Sequence, residues 1–169
     1  MRTSAIAVAN YFIDLAKKEN VNIYQFGLIK RVYVTHGFCL AVFDRSALDP
    51  NYDVVEAWKN GPVIPSVYHS FKHNRNNPII EKSVIAEIGN KTFDFITPEL
   101  NDTDVQEVAG AVWKRYLNMN DFELIKLLHR KGTPWGLCYQ EGKNEIIPDL
   151  YTKTYYKKLL NHERIRQGY

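Results

Sequence analysis

Apolar and small residues recur at three- and four-residue intervals through much of this chain, the spacing that lines one face of an α-helix. After the N-cap types Thr3 and Ser4, the series Ala5, Ile6, Ala9, Phe12, Ile13 and Ala16 predicts a first helix. It closes at Lys17 and Lys18, where cations suit the negative end of the helix dipole, and Asn20 and Asn22 break it. Over Gln25 to Phe43, Leu28, Val32, Thr35, Cys39 and Val42 hold the same rhythm for longer than a strand usually lasts. A second helix is predicted there, despite the strand-favouring Val, Tyr, Thr and Phe.

Ser46 to Asn51 (SALDPN) is a turn cluster. In the following AWKNGPVIPSVYHSFK, Gly61 tolerates backbone angles closed to other residues, while Pro62 and Pro65 each remove a donor. A stiff, non-helical corner is expected, with Pro65 in the first turn of a third helix carrying Val67, Tyr68 and Phe71. His73 to Pro78 is a polar break. Residues 79–97 have no helical period, and Gly89 and Asn90 between Ile88 and Phe93 suggest a short β-hairpin near 84–96.

From Asn101 the helical pattern returns. Thr103 and Gln106 form a predicted capping box, and Val105, Val108, Ala109, Val112 and Tyr116 line one side as far as Leu117. Asp121 caps a next helix with Phe122, Ile125, Leu128 and His129, which Gly132 and Pro134 end. Pro148 starts a last helix whose inner side is predicted as Leu150, Tyr151, Thr154, Tyr155 and Leu159, before a polar, basic tail over 161–169. The expectation is a mainly α, compact single-domain bundle of about six helices.

Composition narrows the class. A chain of 169 residues with 45% apolar and 24% charged positions is an ordinary globular domain, able to bury roughly 70% of its unfolded surface. The apolar stretch Gly37 to Phe43 is far shorter than the roughly 20 residues of a membrane span, and Asn10 and Asp14 interrupt any leader-like run. Cys39 and Cys138 make no disulfide framework, which suits a reducing compartment. A soluble, cytoplasmic protein without a membrane partner is expected.

The net charge of +3 is small but unevenly placed. Residues 150–169 hold Lys153, Lys157, Lys158, Arg164 and Arg166 against Glu163, a net +4. Interleaved with Tyr151, Tyr155 and Tyr156, these lysines have the composition of a phosphate-contacting, base-stacking surface. At helical spacing the same tyrosines also make a core face with lysines outside, and no nucleic-acid motif accompanies them, so nucleic acid is not the expected partner.

Candidate chemistry is sparse. His69 and His73 have the i, i+4 spacing of zinc ligands, but no further ligands are apparent and the intervening residues do not make HExxH. Cys138 with His129 or His36 has the residue types of a nucleophile and base, yet Leu137 and Tyr139 flank it as they would an apolar filler. No glycine-rich phosphate loop occurs, and Asp102/Asp104 and Asp121/Glu123 stand at helix starts, where acids favour the dipole. No enzyme activity, metal or cofactor is expected.

Three segments in order carry a resemblance: LIKRVY (28–33) with HGFCLA (36–41), AWKNGPVIPSVY (57–68), and HRKGTPW (129–135) followed by Ile147 and Pro148. Together they resemble the SocA-like antitoxin family, or Panacea domain. The family's usual Lys-Leu pair is Lys30-Arg31 here, its usual glutamine before that pair is Ile29, and its usual threonine before the histidine is Leu128.

The resemblance implies an antitoxin domain over 1–160 that binds and neutralises a cognate toxin encoded by an adjacent gene, often on a prophage. It makes Lys30, Tyr33, Trp58, Gly61, Pro62, Pro65, Tyr68, His129, Pro134 and Trp135 the motif or partner-binding residues. In one branch of the family the antitoxin instead delivers its partner to the ClpXP protease, and some members add a DNA-binding domain, for which this chain leaves no room. Trp58, Trp113 and Trp135 are each expected first as core anchors, since tryptophan is highly buried on average.

Overall fold

The computed structural model describes residues 4–88 and 92–166, with side chains described as far as Glu163. Gly89 and Asn90, expected at the hairpin turn, lie outside the described residues, as do the side chains of Arg164 and Arg166.

Among the described residues seven α-helices account for most of the fold, so the mainly α expectation holds. The first, α1 (Ala5–Lys18), starts where the Ser4 hydroxyl accepts the Ala7 N–H at 3.2 Å. The second, α2 (Gln25–Phe43), is the central element, buried along most of its length and packed against α1 and the later helices. By length and composition it is long and apolar enough to cross a membrane, but 72% of that window is buried inside the fold. A core helix meets the same criterion.

After α2 the chain forms β1 (Glu56–Trp58) and β2 (Gly61–Val63), an antiparallel pair in which Trp58 faces Gly61. The expected corner is therefore a hairpin. Helix α3 (Pro65–Phe71) follows with Pro65 in its first turn, then a 3₁₀ turn over Lys72–Asn74. The second hairpin, β3 (Ile85–Ile88) and β4 (Phe93–Ile96), falls within the predicted 84–96 window. Asn10, which interrupts the leader-like apolar run of the N-terminus, is buried in α1 and holds both flanks of this hairpin. Its Nδ2 donates to the Ser83 and Pro98 carbonyls at 3.0 and 2.9 Å, and its Oδ1 accepts the Ser83 N–H.

Two predicted caps shift by one residue. Helix α4 (Thr103–Tyr116) is capped by Asp102, whose side chain accepts the Val105 N–H, and not by a Thr103/Gln106 box. Gln106 instead donates to the Leu100 carbonyl. Arg45 grips Asp102 through both terminal nitrogens, at 2.7 and 2.9 Å, and holds its carboxyl down to about pKa 2. Helix α5 (Asp121–Leu128) is capped by Asn120, in a capping box with Glu123.

Short α6 (Pro134–Cys138) and β5 (Glu145–Ile146) come next; β5 pairs with β1 and completes a three-stranded sheet in the order β2-β1-β5. The last helix, α7 (Asp149–Arg166), lies along α2. Its inner face is a correction to the sequence reading. Leu150 and Tyr151 are exposed, whereas Thr152 and Tyr156 are buried, with Tyr155 and Leu159 half-buried beside them. Tyr156 seats its ring against Gly37 of α2, where a Cβ would lie 2.3 Å from it.

Candidate functional site

The motif residues, scattered from 30 to 135, meet where α2, the β1–β2 hairpin, α5 and α6 converge. Lys30 is fully buried in α2, and its ammonium donates to the Pro62 carbonyl at 2.8 Å. Burial pushes its pKa down to about 7, against an opposing pull from the Asp121 carboxylate.

Gly61 is required here twice over. Its φ is +102°, open to glycine at little cost, and a Cβ would fall 2.8 Å from His129 Nε2 and 3.1 Å from Lys30 Nζ. The lysine, glycine and histidine therefore meet at one point.

His129 ends α5, its N–H bonded to the Ile125 carbonyl. Burial, then the neighbouring Lys30 charge, lower its pKa, while a ring hydrogen bond to the Asn60 backbone opposes both. Its Nε2 has no hydrogen-bond partner. The imidazole stacks on Trp135, with centroids 4.1 Å apart and planes 10° from parallel, and Trp135 stacks in turn on Tyr139 at 4.7 Å.

Thr133 and Pro134 set the position of Trp135. The Thr133 hydroxyl accepts the Gly136 N–H and lies 3.0 and 2.8 Å from the Leu128 and Arg130 carbonyls, while Pro134 opens α6. The Trp135 indole N–H donates to the Trp58 carbonyl at 2.8 Å, and that of Trp58 to Glu56 Oε2 at 2.6 Å. Tyr68 meets Trp58 edge-on at 4.9 Å, and its carbonyl accepts from Gln25.

Lys30, Trp58, Gly61, Pro62, Tyr68, His129 and Trp135 thus form one seam, with Pro134 supporting it. Tyr33 and Pro65 lie apart. Tyr33 faces α7, its hydroxyl 3.5 Å from Thr152 and its ring edge-on to Tyr156, and Pro65 starts α3. Sequence reasoning missed Glu56, Asn60, Thr133 and Tyr139 as partners in the seam. Of these, Thr133 was readable, since Thr-Pro is a helix-start pair. Of the tryptophans, Trp113 is a buried core anchor, while Trp58 and Trp135 are half-buried.

The outer side of the seam is apolar. Trp58, Tyr68, Trp135 and Tyr139 are half-buried, and exposed Ile146 of β5 pairs with Glu56, while Leu137 of α6, two residues after Trp135, is 64% exposed.

Chemically the arrangement favours holding over reacting. The Cys39 thiol is pushed up to about 12 by burial, and that of Cys138 is raised for the same reason, so neither is an activated thiolate. His69 and His73 are exposed, and among the described residues no three metal-capable side chains gather. A second histidine, His36, stands in a line with a hydroxyl and a carboxylate: Nε2 is 3.0 Å from Asp149 Oδ1 and Nδ1 is 3.3 Å from Ser46 Oγ. Ser46 is closed into a turn with both backbone groups of Leu48, and the imidazole is buried. This line pins the start of α7 to α2, and the hydrogen bond from His36 lowers the Asp149 pKa.

Residues 28–136 match the family described as antitoxin SocA-like, Panacea domain. The chain is 31% identical over 133 residues to Antitoxin SocA of Caulobacter vibrioides (strain NA1000 / CB15N), covering 79% of this chain and 69% of that protein. No solved structure matches it. The matched span opens just before Lys30 and closes just after Trp135, so it encloses the seam's motif residues and leaves out Tyr139.

Proposed function

Because this chain belongs to the SocA-like, Panacea-domain antitoxin family, its role is that of an antitoxin, and we propose that it neutralises its toxin by direct protein–protein contact through the aromatic seam. The observation that carries this reading is the hydrogen-bonded pair Trp58 and Trp135, both half-buried, with exposed Ile146 on the strand that pairs with Glu56. Both indoles are fixed before any partner arrives, so little side-chain entropy is lost on contact, and tryptophan and tyrosine are the residues that most often dominate binding energy. The toxin is the product of the adjacent reading frame, and the encounter takes place in the cytoplasm, where Cys39 and Cys138 remain free thiols.

Co-expression tests the reading. The neighbouring frame, toxic alone, becomes harmless with this protein present, and Leu137→Glu, a charge placed at an exposed position of α6 two residues after Trp135, removes the protection while the variant stays folded. A neighbouring frame that is harmless alone, or one that stays toxic beside the wild-type protein, overturns the proposal. Protection that disappears in cells lacking ClpXP points instead to the adaptor mode.

A further inference from the structure

Away from the seam, a cavity of 520 Å³ opens where the loop after α1 meets the joint between α4 and α5. That volume lies in the range of sites that hold small organic groups. Two of the residues lining it, Arg31 and Trp113, are only 6% and 2% exposed. The Arg31 guanidinium is held firmly: Nη2 donates to the Tyr116 and Met119 carbonyls at 3.0 and 3.3 Å, and its carbon lies 5.6 Å from the centroid of the Trp113 ring.

Arg31 Nε and Trp113 Nε1 nevertheless have no acceptor. Among the described residues three buried side-chain nitrogens are left in this condition, and two of the three belong to this cavity's lining. Buried donors are satisfied in the great majority of cases, so two unpartnered donors in one lining call for an oxygen, which has more than one lone pair to offer.

Charge and shape narrow it further. Among the described residues Arg31 is the one cation of the lining, and the one carboxylate there, Asp121, already accepts the Gly27 N–H. For a guanidinium N–H an anionic oxygen is the strongest acceptor. Around the mouth stand half-exposed Val21, Tyr24 and Met119, together with Phe122 of α5, 73% exposed and with no structural need to be aromatic.

We propose that this cavity binds an apolar carboxylate: the carboxylate accepts from Arg31 Nε–H and Trp113 Nε1–H, and its hydrocarbon or ring lies against Met119 and Phe122. Both nitrogens are buried, so binding requires the two side chains to shift towards the incoming oxygen. The carboxylate belongs either to a free acid or to the C-terminal residue of a peptide, and this site does not depend on the toxin-neutralising reading.

The test follows the Trp113 indole ¹H–¹⁵N resonance, assigned with Trp113→Phe, while the full chain is titrated with N-acetylphenylalanine, N-acetylphenylalaninamide, and a hexapeptide ending in phenylalanine with a free or amidated terminus. The free acid shifts the resonance saturably, and each amide binds about tenfold more weakly or worse, because charge-assisted hydrogen bonds are the stronger kind. Arg31→Met abolishes the preference for the acid. Since Arg31 also holds the end of α4, Phe122→Ser at the exposed rim serves as a second variant and weakens binding in a folded protein. Tighter binding of the peptide acid than of N-acetylphenylalanine assigns the site to a chain terminus, and the reverse order assigns it to a free acid. No shift of the Trp113 resonance by either acid up to about 10 mM, or equal binding of acid and amide, overturns the proposal.

Discussion

The indole N–H of Trp135 donates to the backbone carbonyl of Trp58 across 77 positions of sequence. One hydrogen bond thereby joins α6 to β1, and through the stacked His129 it joins both to the end of α5. The seam holds the helical bundle to its small sheet.

Trp135→Phe keeps an aromatic ring over His129 but leaves the Trp58 carbonyl without that donor. The expected loss of stability is about 1 kcal/mol, against about 3 kcal/mol for Trp135→Ala, which also removes the stack. Urea midpoints measure both. Equal losses for the two variants would show that stacking contributes nothing.

Gly61→Ala places a methyl group 2.8 Å from His129 Nε2 on a backbone with φ of +102°. Steric and conformational penalties add, and a loss of about 2 kcal/mol or more is expected. A denaturation curve superimposable on that of the wild type would contradict the requirement for glycine.

Two helical glycines should respond oppositely to alanine. Gly37 lies under the Tyr156 ring, and Gly37→Ala forces α7 away from α2 at a cost of about 1–3 kcal/mol. Gly110 of α4 has no neighbour within 4 Å of an added Cβ, so Gly110→Ala stabilises by up to about 1 kcal/mol. Thermal melts of the pair check both signs.

Stability should also depend on pH through Lys30. Its folded pKa is depressed to about 7 from 10.5, so between these values the unfolded chain binds more protons and stability rises with pH. The penalty is fully present below about pH 7 and relieved towards 10.5. His129, also depressed, adds a loss of stability on acidification below its ordinary range. Lys30→Met removes the lysine contribution, and its urea midpoints between pH 7 and 9 should rise less steeply than those of the wild type. Parallel slopes would show that Lys30 titrates normally.

The long helices α1, α2 and α4 were legible in the sequence because each repeats its apolar spacing over several turns. The three-stranded sheet was not. Its strands have three, three and two residues, too short for an alternating pattern, and β5 joins from the far side of α6. The inner face of α7 was misjudged because Leu150 and Tyr151 are apolar and Thr152 is not. The rotation of α7 is set by Asp149 bound to His36 of α2 and by Tyr156 seated on Gly37, both long-range relations. In the seam, Gly61 and the prolines were visible as backbone specialists, but their meeting with Lys30 and His129 depends on tertiary packing. Asn10 shows the same limit: a polar break along the chain becomes a buried clamp once Ser83 and Pro98 are beside it.

The most direct test of the central claim is isothermal titration of the purified product of the adjacent reading frame, the proposed toxin, in a non-toxic variant, into the wild-type protein and into Leu137→Glu. Saturable binding by the wild type, weakened about tenfold or more by the charged variant, is the predicted result. Absence of binding to a well-folded wild-type protein would contradict neutralisation by direct contact, and unchanged affinity in Leu137→Glu would move the contact surface away from the seam.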